Sequence, residues 1–146
     1  MAFDIRSFHL NDAKAIRKLS LEELGYDYPI QETKKKLVLF LESENDQVFV
    51  AIVEEKVVGY IHACTYEVIY APQMKNIMGI VVAKAHRHKG IGRALLEKIE
   101  EWAKEEGAHG IRLVSGATRT DAHTFYQHCG YELQKTQYNF QKILNQ

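Results

Sequence analysis

Apolar residues recur along this chain with two periods, and the switches between them mark its elements. Phe3, Ile5 and Phe8 predict a first strand. Asn11 or Asp12 can cap a helix that carries Ile16, Leu19 and Leu24 and stops at Gly25. After the loop Tyr26–Pro29, a second helix is expected over Gln31–Leu41. Val48–Val53 and Val57–Tyr66 are apolar runs either side of the polar Glu54-Glu55-Lys56, which predicts a hairpin. Ala71-Pro72 should break the chain before another strand, Ile77–Val82. From Ile91 the period lengthens: Ile91, Leu95, Ile99 and Trp102 share one helical face, and Gly107 ends that helix. Ile111–Val114 reads as a short strand. Thr118 with Asp121 resembles a capping box for a last helix ending near Gly130, and Tyr131–Leu133 with Tyr138–Leu144 suggest a closing hairpin. The order is βααβββαβαββ, a mixed α/β (α+β) pattern. Antiparallel hairpins come first, and a strand-helix-strand unit of parallel type follows.

Composition narrows the function classes. The chain is 146 residues long, 46% hydrophobic and 26% charged, as expected of one globular domain over 1–146. Its 19 basic and 19 acidic side chains cancel, which argues against nucleic acid as the main ligand. Cys64 and Cys129 lack CxxC spacing, so neither a disulfide framework nor a zinc site is expected. His86, His88, His109, His123 and His128 form no pair with metal-ligand spacing, so no metal is expected. Met1–Leu10 lacks the basic start and long apolar run of a signal peptide, and no apolar span suits a bilayer. The expected location is cytoplasmic, with no membrane partner.

The stretch most informative about chemistry joins an apolar strand to an amphipathic helix through Arg87-His88-Lys89-Gly90-Ile91-Gly92-Arg93. Glycines let a backbone approach a ligand closely. The first turn of a helix offers unpaired N–H groups and a partial positive charge, a ready anion site. Arg87, Lys89 and Arg93 add cationic donors. A P-loop would need Lys-Ser/Thr after its last glycine, and a dinucleotide fingerprint a third glycine where Leu95 stands. On these residues alone the turn is either a phosphate cradle or a tight connection with a solvated basic face.

Arg87-His88-Lys89-Gly90-Ile91-Gly92 matches the Arg/Gln-x-x-Gly-x-Gly/Ala signature of the GNAT superfamily of N-acetyltransferases, which the chain resembles over nearly its whole length. A second segment, Ala122-His123-Thr124-Phe125-Tyr126-Gln127-His128-Cys129-Gly130-Tyr131, is similar to the family's Ala-x-x-Phe-Tyr-x-x-x-Gly-Phe/Tyr motif. The resemblance implies a mixed, mostly antiparallel central sheet with helices on both faces, and acetyl-CoA as co-substrate. The turn's amides, His88 to Arg93, would hold the pyrophosphate. The strand residues Ile80, Val81 and Val82 would pair with the pantetheine arm, and Phe125 would pack beside the coenzyme. Where the family often carries Asn three positions before the alanine, this chain has Arg119, which could instead reach a phosphate.

Acetyl transfer needs a neutral amine, yet a lysine-type amine has a pKa of about 10.4, so a base is required. The leaving thiolate, with a pKa near 8.5, gains from protonation. The resemblance assigns that proton to Tyr126. Many family members place a glutamate on the strand before the phosphate turn, but there is none between Gln73 and Val82. Glu67 is the candidate base, with His62 as a substitute and Asn76 able to orient a water. The acceptor amine is expected between the Tyr26–Pro29 loop, the second helix and the strand end, received by Tyr26, Asp27, Tyr66, Glu67 and Tyr70. Its identity is open between a small molecule and a protein lysine or N-terminus. A non-catalytic acyl-CoA-binding module is the alternative. The closing hairpin near Tyr138 would leave a sheet edge that a second copy can pair with, so a homodimer is a candidate assembly.

Overall fold

A computed structural model describes residues 2–145. The chain divides into two compact units, Met1–Leu113 and Val114–Gln146. The first unit holds a five-stranded sheet in the order β1 (Asp4–Ser7), β2 (Asp46–Val53), β3 (Lys56–Val68), β4 (Ala71–Val82), β5 (Gly110–Leu113). Every neighbouring pair is antiparallel except β4 and β5, which run parallel. The β4–β5 crossover contains a helix, as a parallel connection requires.

Helix α1 (Ala13–Leu24) follows a short 3-10 turn. Asp12 caps this region by accepting the His9 backbone N–H at 2.7 Å, while Arg6 donates to both its oxygens at 2.8 and 3.0 Å. Gly25 ends the helix in a left-handed conformation. Its N–H reaches Leu21 O and that of Tyr26 reaches Ser20 O, closing the helix's last carbonyls. Helix α2 spans Ile30–Glu42, and α3 spans Ile91–Glu105.

The alternation of β3 separates two layers. Tyr60 and His62 face α1 and α2: the Tyr60 hydroxyl meets Ser20 Oγ at 2.7 Å, and the His62 ring stacks on Phe40 with centroids 4.2 Å apart. This side shares its core with Phe8, Ile16, Leu37, Val48 and Val50. Thr65, of opposite parity, faces the other way with Lys75 of β4, whose ammonium lies 4.0 Å from the Trp102 ring centroid of α3. Leu95, Leu96 and Ile99 of α3 are fully buried. Helices therefore cover both faces, as expected.

Three details differ from expectation. Strand β4 begins at Ala71 and runs through Pro72, and the chain reverses instead at Ile69-Tyr70. Pro72 is tolerated because it lies at the strand's start, where a missing N–H costs little. In the second unit, α4 (Thr120–His128) starts one residue after Arg119, with no side-chain cap from Thr118. The expected closing hairpin is absent: among the described residues, none after His128 is in a helix or strand. Tyr138 and Phe140 are 86% and 89% exposed, so the alternating apolar pattern there lacks the cross-strand partner that a hairpin needs.

Candidate active site

Strand β4 changes partners along its length, and the site starts from that change. Its parallel pairing with β5 runs from Met74↔Gly110 to Ile77↔Leu113 and stops. Its pairing with β3 continues to Val82, with a register shift that leaves Met78 bulged opposite His62 and Ala63. From Met78 onward, β4 has a neighbour on one side only. Ala83 donates to Val58 O across β3, so strand alternation turns the polar groups of Ile80 and Val82 to the open edge and those of Val81 toward β3.

That edge leads into the basic turn. His88 (φ 63°) and Gly90 (φ 87°) are both left-handed and reverse the chain into α3. A Cβ at Gly90 would meet nothing within 4 Å, so the backbone is open to approach there. Ala94 makes the first helical bond, to Gly90 O, which leaves the amides of Ile91 and Gly92 ahead of the α3 ladder. The turn is tied down by its own side chains. Arg87 donates from Nε to Val82 O at 3.1 Å and pairs with the Glu23 carboxylate of α1, which also accepts the Lys84 N–H at 3.3 Å. Lys89 Nζ donates to Ala85 O at 3.4 Å. Arg87 is thus a strut of the turn, not a donor aimed outward as its position in the motif suggested. Arg93 lies in the first turn of α3. His86 Nδ1, just before the turn, is buried without a hydrogen-bond partner, the kind of group a ligand or water completes. An open strand edge, free helix-turn amides and local positive charge fit a pantetheine diphosphate.

One strand away lies the residue expected as the substitute base. His62 Nε2 stands 2.7 Å from Asp46 Oδ1, and both side chains are only 17% exposed. Asp46 also accepts from Ser43 Oγ at 2.8 Å. With Nε2–H donating to the carboxylate, Nδ1 carries the ring's lone pair. Asp46 is 16 residues from His62, and only their antiparallel register brings them together. Burial, with the Asp46 carboxylate second, pushes the nearby Cys64 thiol above its usual range. Further along the same face, Arg112 of β5 lies 4.1 Å from the Tyr66 ring centroid and donates to the Asn76 side-chain oxygen. Asn76 is thereby committed, and Arg112 is a residue that no motif singled out.

Glu67 lies near the β3–β4 reversal, exposed, and its carboxylate accepts from Gln73 Nε2 at 3.0 Å. Tyr70 is 84% exposed at that tip. Asp27 points to Arg17, which holds it at 2.6 Å and the Tyr28 carbonyl at 2.7 Å. The expected acidic, aromatic acceptor surface does not assemble from these residues. A cavity of ≈ 350 Å³ opens instead between α1, α2 and β3, with His62, Tyr60 and Phe40 in its wall and Tyr26 and Tyr28 among its lining.

In the second unit, α4 carries Phe125 and Tyr126 with ring centroids 5.5 Å apart, and Tyr126 also meets Tyr131 edge-on at 6.3 Å. Burial raises the Tyr126 phenol above its ordinary pKa, and Arg119 opposes this only in part. The Arg119 side chain rests 3.7 Å from where a Cβ on Gly116 would lie.

The family model described as the acetyltransferase (GNAT) family matches residues 13–131. This chain belongs to the GNAT acetyltransferase family. An uncharacterised N-acetyltransferase of Chlorobaculum tepidum is 27% identical over 139 residues, covering 95% of this chain and 81% of its own. Streptothricin acetyltransferase A of Bacillus subtilis is 36% identical over 89 residues, 61% of this chain. The chain spans about half the length of that relative, 49%. Among solved structures, aminoglycoside N-acetyltransferase AAC(6')-Iy with a CoA bisubstrate analog superposes with a TM-score of 0.87 at 17% identity, covering 99% of this chain and 100% of the other. A transcriptional regulator from Bacillus halodurans gives 0.86 at 22%, covering 97% and 100%. The expectations of a GNAT fold and of an acetyl-CoA-dependent transferase are borne out. Among the described residues, no helix of this GNAT protein is long and apolar enough to cross a membrane.

Proposed function

We propose that this GNAT protein transfers an acetyl group from acetyl-CoA to the primary amine of a small molecule, as a cytoplasmic enzyme whose two units act as one domain. The observation that carries the reading is the open β4 edge running into the Gly90 turn, beside the His62–Asp46 pair. The pantetheine arm pairs with the outward amide and carbonyl of Ile80 and the outward amide of Val82, whose carbonyl holds Arg87. The diphosphate sits on the turn from His88 to Arg93.

His62 is the base in this reading, in preference to Glu67. Its Nδ1 takes the proton as the amine nitrogen attacks the thioester carbonyl, and Asp46 stabilises the imidazolium that forms. An outward amide of β4 donates to the oxyanion. The carbon–sulfur bond then breaks, Tyr126 gives its phenol proton to the thiolate, and the phenolate regains a proton from solvent as the His62 imidazolium releases the one it took. A phenol held above its ordinary pKa stays protonated through neutral pH, as a donor must. Tyr126, Phe125 and Arg119 enter on their motif, with the role of Arg119 taken as a phosphate contact.

Calorimetric titration with acetyl-CoA, repeated on Gly92→Glu, tests the coenzyme site. Low-micromolar binding that the folded variant loses supports it, and an amine screen for thiol release then reads turnover. No binding of any acyl-CoA to the native protein would refute the reading.

A further inference from the structure

The cavity walled by α1, α2 and β3 has a definite chemical character. Phe40, Leu37, Val48 and Tyr60 make an apolar and aromatic interior around the His62 ring. Arg17 and Lys36 lie among its lining, and no carboxylate does. Asp27 is paired with Arg17 and Asp46 with His62. A site for a polycation carries carboxylates placed to receive each ammonium; this lining offers none, and with Arg17 already met by Asp27 it is Lys36 that repels a further positive charge.

We infer that the acceptor is a monoamine with a flat apolar or aromatic body, and that polyamines and aminoglycosides are excluded by charge. The inference rests on the transferase reading for its location and deepens it. The ring of the acceptor packs against Phe40 and Tyr60, and its single amine points to His62 Nδ1. Lys36 then acts as a filter against multiply charged competitors.

The test is calorimetric binding of 2-phenylethylamine, spermidine and kanamycin, to the protein alone and to the protein saturated with CoA. The expected result is at least tenfold tighter binding of 2-phenylethylamine than of either polycation. Lys36→Glu, at an exposed helix position that leaves the core intact, should raise spermidine and kanamycin affinity at least fivefold and the aryl amine less. Equal or tighter binding of a polycation to the native protein, or no aryl amine binding in either state, overturns the inference. An unchanged selectivity in Lys36→Glu overturns the charge filter. Selective amine binding without coenzyme binding would instead strike the transferase reading and leave the pocket inference standing.

Discussion

Gly59→Ala tests how the β3–β4 ladder holds the open edge of β4 and, with it, the proposed coenzyme site. Gly59 lies in β3 opposite Val82, and its φ is not in the left-handed region, so alanine can adopt its backbone conformation. The added Cβ would stand 2.8 Å from the Val81 carbonyl oxygen and 3.5 Å from Val82 Cα. The close atom belongs to a strand backbone and cannot rotate away, so β4 must shift to relieve the contact. Val82 O anchors Arg87, and Ala83 N anchors the chain to Val58, so the movement passes into the phosphate turn. Overpacking of this kind costs about 1–3 kcal/mol, and the lower entropy of the unfolded alanine chain offsets about 0.4–1 of it. From the middle of both ranges the net loss should be about 1.3 kcal/mol, or a fall of roughly 4 °C in melting temperature for a chain of this size. The KM for acetyl-CoA should rise several-fold. Gly79→Ala is the control: its Cβ meets nothing within 4 Å, so stability should hold or rise slightly. Calorimetric melting and steady-state kinetics read both variants. A Gly59→Ala melt within 1 °C of native on the scale just estimated, with unchanged KM, would refute the ladder argument.

Other expectations follow from the same geometry. His62→Gln should lower kcat about 100-fold, the scale of lost general-base catalysis, with Asp46→Asn intermediate and Glu67→Gln without effect; a kcat that falls in Glu67→Gln alone would reverse the assignment. Tyr126→Phe should lower kcat by a similar factor while the KM for acetyl-CoA changes little, and any alkaline limb due to this phenol should lie above pH 10, its ordinary value, because burial raises it. Lys75 is fully buried between Thr65, Glu106 and Trp102; Lys75→Met should be close to neutral on denaturant unfolding, whereas Lys75→Ala should cost about 2–4 kcal/mol through the cavity it leaves. For Asp12, burial favours the protonated acid, but hydrogen bonds from Arg6 and the His9 N–H together outweigh it and hold the carboxyl below its usual range. The unfolded chain therefore takes up the proton first as pH falls, so this stabilisation is complete above about pH 4 and vanishes as pH drops through the lower folded value. Asp12→Asn should cost about 1–3 kcal/mol at pH 7 and progressively less in acid, and a difference that persists undiminished at pH 2 would contradict the pairing.

Some of this protein was legible from local pattern alone. The period of Ile91, Leu95, Ile99 and Trp102 marked α3, because a helix repeats its buried face on a spacing that survives in sequence. The same holds for the Gly90 turn, where a left-handed φ favours glycine. Local pattern misled where an element depends on a partner. The Tyr138–Leu144 alternation reads as a strand, but a strand exists only through hydrogen bonds to another strand, and nothing local supplies them. Pro72 read as a break because its place at a strand start is a fact about the sheet.

The side chains beside the open β4 edge are where tertiary structure decided most. Asp46 and His62 carry no motif, since their 16-residue separation is set by the β2–β3 register. Arg87, cationic in sequence, becomes a strut because α1 brings Glu23 to it. Asp27, acidic in sequence, is paired with Arg17, and the cavity between α1, α2 and β3 is lined by aromatic and apolar side chains with no carboxylate among them. Sequence determines which residues can titrate, bend or pack, since those are properties of side chains and short-range backbone. Which charge is neutralised, and which is left to meet a substrate, depends on distances between segments far apart in the chain, and only the fold sets those.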